Sequence, residues 1–193
     1  MTTGRLAGSS RSTADAHPDL RALYFWRKGA QLFYPDVHVI PLDTFLRPGA
    51  VVAALPVGSK KALFQAFGAL ADRVYAIDER KVVERLTERE RLGSTGFGGG
   101  VAIPHGKIDG LDRVVGLFAQ LAQPIDFGAV DDMPVDLVFM LLSPVDAGAD
   151  HLKALAQVSR ALRDKSVVAK LRGAATDDAL MALLGTSETR DAA

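Results

Sequence analysis

Two stretches, Val114–Leu121 (VVGLFAQL) and Val135–Leu142 (VDLVFMLL), are apolar on both alternating faces. A strand with one wet face alternates apolar and polar residues. A strand apolar throughout needs cover on both sides. That demand restricts the fold to a sheet sandwiched between helices, and the rest of the chain supplies helices to do it. Ser59 is placed to cap one running to about Tyr75, with Leu63, Ala66, Phe67, Leu70 and Val74 on one face. A second spans Glu79 to Arg91, with Val82, Val83 and Leu86 inward and Gly93 just past its end. A third opens near Asp150, with Leu152, Leu155, Ala156, Ser159 and Leu162 as its apolar series. Shorter helices follow at Ser166–Leu171 and Asp177–Leu184, the last capped by Thr176. Asp43–Leu46 reads as a turn of helix stopped at Pro48-Gly49, and Val101–Ile103 as a short strand ending at Pro104. Helices and strands alternate, which is the pattern of an α/β layered domain.

The chain has 193 residues, 48% of them hydrophobic, enough for one domain and an appended segment. Basic and acidic residues balance at 23 each, so bulk charge gives no reason to expect a nucleic-acid partner. The absence of cysteine removes disulfides, thiolate nucleophiles and cysteine zinc sites. No apolar run approaches the roughly 20 residues of a membrane span, and no secretory signal is evident. A cytoplasmic protein without membrane insertion is the expectation. Residues 1–40 form an N-terminal extension, polar and partly disordered at first, then rich in aromatics (Tyr24, Phe25, Trp26, Phe33, Tyr34). That patch either docks on the domain or meets a partner, or the native start lies downstream of it. The domain covers residues 41–185, and 186–193 form a tail.

Chemistry concentrates in Leu92–Lys107, LGSTGFGGGVAIPHGK. Glycines permit close backbone approach, and successive N–H groups in such turns make anion-binding concavities. The backbone of Gly96, Gly98, Gly99 and Gly100 is therefore expected to cradle a phosphoryl group. His105 follows, set between Pro104 and Gly106, with the cation Lys107 next to it. An imidazole usually has a free lone pair at cellular pH, so it serves as base or nucleophile. His151 falls at the start of a helix, where anions are favoured. Arg89 lies in the last turns of the helix that delivers the loop, where it offers paired N–H bonds, although that stretch is dense with solvated charges. Rival motifs fail. Both the P-loop and the dinucleotide fingerprint require glycine where Val101 stands. A metal site of His105, His151 and Asp146 or Asp150 lacks supporting spacing.

GSTGFGGGVAIPHGK resembles the active-site segment of the mannitol/fructose-type enzyme IIA domains of the bacterial phosphoenolpyruvate-dependent phosphotransferase system. The Arg-Glu before LGST, QPIDFGAVDDMPVDLVFMLLSP and HLKALAQVSRAL extend the similarity from about Asp43 to Gly185. The resemblance implies a mixed β-sheet with helices on both sides, in a single domain. It implies a phosphotransferase whose His105 accepts a phosphoryl group on Nε2 from an HPr-like carrier, with Arg89 and His151 in support. The donor is already an activated phosphoramidate, so no metal or organic cofactor is expected. With no cysteine for an enzyme IIB and no permease, the chain reads as a stand-alone enzyme IIA. The motif is similar to that of nitrogen-related members, which implies a regulatory output. A sugar-specific enzyme IIA, and a binding module never phosphorylated, are the alternatives. The partner surface is expected to be apolar around His105, with Phe97 either a contact or core.

Overall fold

A computed structural model of the chain describes residues 42–185. The N-terminal extension and the C-terminal tail lie outside the described residues. After a short 3₁₀ turn (Leu42–Phe45), the elements run β1 (Val51–Leu55), α1 (Lys60–Tyr75), α2 (Glu79–Arg91), β2 (Gly96–Gly98), β3 (Val101–Ala102), β4 (His105–Ile108), β5 (Val115–Ile125), β6 (Val135–Pro144), α3 (Gly148–Arg163), α4 (Lys165–Gly173) and α5 (Asp177–Gly185). The expected caps form. The Ser59 hydroxyl accepts from Ala62 N–H at 3.2 Å, and Thr176 accepts from Ala179 N–H at 3.2 Å. Asp78 caps α2 by accepting from Lys81 N–H at 2.9 Å. Each cap satisfies an N–H that the first helical turn leaves without an internal partner.

The sheet is mixed, in the order β1-β5-β6-β3-β2, with β4 also pairing with β6. β5 and β6 are antiparallel, with Phe118 opposite Phe139, while β1 runs parallel to β5 and both β3 and β4 run parallel to β6. The two apolar runs of the sequence are these central strands, and their side chains divide between two cores. Leu117, Ala119, Val138, Met140 and Leu142 pack with α1 and α2, while Phe118, Leu137, Phe139 and Leu141 pack with α3, α4 and α5. Alternate residues of a pleated strand face opposite sides, so both faces of the sheet are covered by helices, as expected.

Three local expectations need correction. β4 was not expected, because HGKI offers no apolar run. Its register is nonetheless fixed by β6, with His105 opposite Leu141 and Ile108 opposite Pro144. Proline lacks an N–H, so Pro104 interrupts the β3–β4 row, although its carbonyl still accepts from Leu141 N–H at 3.0 Å. The apolar series on α3 also differs. Ala154, Val158 and Leu162 are buried, while Leu152 is 55% exposed and Ala156 faces solvent. Finally, the second apolar run ends at Leu142 in the sequence, but the strand continues through Ser143 and Pro144. Among the described residues no helix is long and apolar enough to cross a membrane.

Candidate functional site

Among the described residues β4 pairs with β6 alone, so helices from both layers reach its edge. Along β4 the residues alternate, with Gly106 and Ile108 buried and His105 half-buried. A Cβ on Gly106 would sit 3.2 Å from Cβ of Arg85, so glycine at that position lets α2 lie close against the strand. That approach brings Arg89, one turn further along α2, onto the His105 ring. From the other layer α3 delivers His151, whose ring centroid stands 5.6 Å from that of His105.

Both nitrogens of His105 are assigned by their neighbours. Nδ1 lies 2.9 Å from the carbonyl oxygen of Ile103, which can only accept. Nε2 lies 2.9 Å from Nε–H of Arg89, which can only donate. The ring is therefore the neutral Nδ1–H tautomer with its lone pair on Nε2. Arg89 is itself held, because its Nη1 donates to the carbonyl of Gly93 at 2.9 Å. Gly93 has φ +145°, a conformation that favours glycine. The neighbouring Glu90 faces the other way. It pairs with Lys60 at 2.9 Å and accepts from both the N–H and the hydroxyl of Thr95, fixing the turn that follows α2.

Burial pushes the proton affinity of His105 down to about 4, opposed by the Ile103 carbonyl and reinforced by the charge of Arg89 and by His151. The sign for stability follows. An unfolded chain protonates this ring near its ordinary 6.5, whereas the folded chain resists until about 4. The unfolded state binds more protons between those values, so folding stability declines as pH falls through that window. We expect the His105 ring resonances, followed by NMR, to remain those of a neutral imidazole from pH 7 down to pH ~5. A transition near the ordinary histidine value would contradict the described environment.

His151 is half-buried, and burial, then the charges of Lys107 and Arg89, lower its proton affinity too. Its Nδ1 is 2.6 Å from Oγ of Ser143. Lys107 extends along the rim, and its ammonium donates to the carbonyl of Val145 at 3.0 Å. Together Arg85, Arg89, His105, Gly106, Lys107, Val145 and His151 line a cavity of about 710 Å³, with Glu88, Leu92 and Asp109 completing its wall. Leu92 is 85% exposed and Val145 56% exposed, so the mouth carries apolar side chains open to solvent. Large apolar groups left exposed beside charged ones suit a protein partner.

The structure thus joins Arg89, His105 and His151. It does not join the glycine loop to them. Gly96, Gly98, Gly99 and Gly100 are absent from the cavity wall. Gly99 N–H donates to Asp131 at 2.9 Å, its carbonyl accepts from Arg172 at 2.8 Å, and Gly96 N–H donates to Ser94 at 3.2 Å. The expected phosphate cradle is replaced by a tight hairpin tied to the β5–β6 loop. Gly96 in particular lies against Ala129, where a Cβ would come within 2.9 Å. Phe97 packs on the α3–α5 side, with Arg163 5.9 Å from its ring centre, so it belongs to the core margin and not to the cavity. Among the described residues no group of three or more His, Asp or Glu side chains is arranged to hold a metal, and Asp150 pairs with Lys153. Sequence reasoning missed Ser143 and the Ile103 carbonyl. Ser143 carried a signal, since it is a hydroxyl at the end of an otherwise apolar run.

Residues 44–186 match the profile of the family described as "Phosphoenolpyruvate-dependent sugar phosphotransferase system, EIIA 2". A nitrogen regulatory protein of Bradyrhizobium diazoefficiens is 48% identical over 145 residues, covering 75% of this chain and 95% of that protein. The crystal structure of nitrogen regulatory protein IIA-Ntr from Neisseria meningitidis superposes with a TM-score of 0.70 at 37% identity, covering 74% of this chain and 98% of that one. The mannitol IIA of Escherichia coli shares the fold, with a TM-score of 0.60 at 23% identity over 72% of this chain and 98% of its own.

Proposed function

The chain belongs to the EIIA 2 family of the phosphoenolpyruvate-dependent sugar phosphotransferase system, and we propose that it is a phosphocarrier in which His105 takes a phosphoryl group from an HPr-like phosphohistidine protein. The observation that carries this reading is the enforced lone pair on Nε2, held unprotonated at the wall of an open cavity between a guanidinium and a second imidazole.

The chemistry is an in-line exchange of one phosphorus–nitrogen bond for another. Nε2 of His105 attacks phosphorus, the donor imidazole leaves with the electrons of the old bond, and no proton must be removed from the nucleophile. The Nδ1–H stays on the ring, and the Ile103 carbonyl offsets the positive charge that builds there as the new bond forms. Arg89 has two duties. At rest its Nε–H covers the lone pair, so it must swing aside for attack. Tethered through Gly93, it stays near enough to clamp the incoming phosphoryl oxygens, where charge stabilisation does most of the work in phosphoryl transfer. His151 supplies a donor from the α3 side, near the positive end of that helix. Leu92 and Val145 form the apolar mouth against which the carrier docks.

The similarity to nitrogen regulatory proteins favours a regulatory output over sugar transport. We expect the protein, given labelled phosphoenolpyruvate, enzyme I and an HPr-like carrier, to acquire a phosphate that is labile in acid and stable in alkali. No uptake would overturn the phosphocarrier reading in favour of a binding module. Onward transfer to a cysteine of an enzyme IIB would instead mark a sugar-specific component.

A further inference from the structure

We infer that Ser143 is a positioning residue for this site: its hydroxyl donates to Nδ1 of His151 and holds that ring as the Nε2–H tautomer, ready to donate to the phosphoryl group. The inference rests on the phosphocarrier reading above and extends it to a residue outside the cavity wall.

Ser143 is fully buried within β6, after a run of aliphatic residues. A buried hydroxyl is costly unless it is hydrogen-bonded. Its partner is His151 Nδ1, at 2.6 Å, a short contact for such a pair. β6 itself sets the hydroxyl in place, because Ser143 lies in register with Lys107 of β4, two residues along the strand from His105. The ammonium of Lys107 and the guanidinium of Arg89 both act against a charge on His151. A neutral imidazole has a single N–H, on one nitrogen or the other. Phosphoryl oxygens are acceptors only, so the ring helps only if the nitrogen turned to the cavity carries that N–H. With Nδ1 engaged by Ser143, that nitrogen is Nε2, and Nδ1 must then accept. The Ser143 hydroxyl is able to donate as well as accept, and it donates in the inferred arrangement. In the opposite arrangement, with Nδ1–H donating to the hydroxyl, a lone pair on Nε2 would face the phosphoryl oxygens and repel them.

The test reads the ring nitrogens of the unphosphorylated, ¹⁵N-labelled full-length protein by long-range proton–nitrogen NMR, alongside the rate of phosphate uptake from the carrier. We expect wild-type His151 to be the Nε2–H tautomer. Ser143→Ala should yield a mixture of tautomers and slow uptake about three- to tenfold, the scale of one hydrogen bond. Ser143→Thr, which keeps the hydroxyl, should restore both. The inference is overturned by a wild-type His151 protonated at Nδ1, or by a Ser143→Ala protein with unchanged tautomer and rate. The tautomer is measured without phosphate. Failure of the wild type to take up label would therefore count against the phosphocarrier reading and leave the tautomer result to decide the role of Ser143.

Discussion

His105→Ala should lose phosphate uptake by at least ~10³-fold, because on the proposed phosphocarrier reading it removes the nucleophile. The ring lies at a sheet edge on the wall of an open cavity, so the fold should survive. What the substitution leaves behind is the Ile103 carbonyl and the Arg89 Nε–H without their partner. Two such losses at a site open to water cost about 1–3 kcal/mol between them, which unfolding by denaturant would register without abolishing the native state. The variant should also lose the acid sensitivity that His105 confers between pH 6.5 and about 4. A folded His105→Ala protein that takes up label as the wild type does would remove His105 from the chemistry.

Arg89→Ala is expected to slow uptake by ~10²–10³-fold, the usual consequence of deleting one preorganised donor to a charged transition state. Arg89→Lys should recover little of this. A lysine is a point charge without the planar fork that reaches both the His105 nitrogen and the Gly93 carbonyl. The two variants also separate charge from coverage of the lone pair. Burial is the main reason that His105 resists protonation and Arg89 is a lesser one, so His105 in Arg89→Ala should still titrate below its ordinary value, though higher than in wild type. Unchanged transfer kinetics in Arg89→Ala would assign the guanidinium to the helix surface alone.

The layered fold was legible because the central strands announce themselves. VVGLFAQL and VDLVFMLL cannot be wet on either face, and the helices that cover them carry caps at Ser59 and Thr176. β4 was hidden, because HGKI pairs through its backbone, which leaves no trace in side-chain pattern. The three side chains singled out in the sequence, Arg89, His105 and His151, do converge in space. The reading of the glycines went astray for a definite reason. Glycine marks close backbone approach whatever approaches, and here it is Ala129 and the chain's own Asp131 carboxylate that come near, not a phosphoryl group. The face of α3 was misjudged because Leu152 looks like core, yet it is exposed immediately beside His151. Exposed apolar residues read as interior until the structure shows which way they turn.

The central claim is that Nε2 of His105 is the atom that receives phosphate. The most direct measurement is phosphorus–nitrogen NMR on ¹⁵N-histidine-labelled protein after phosphorylation by the carrier. The account predicts a phosphorus coupled to Nε2 of His105, with the proton still on Nδ1 beside the Ile103 carbonyl. Phosphorus coupled to Nδ1 of that ring, or to His151, would contradict it.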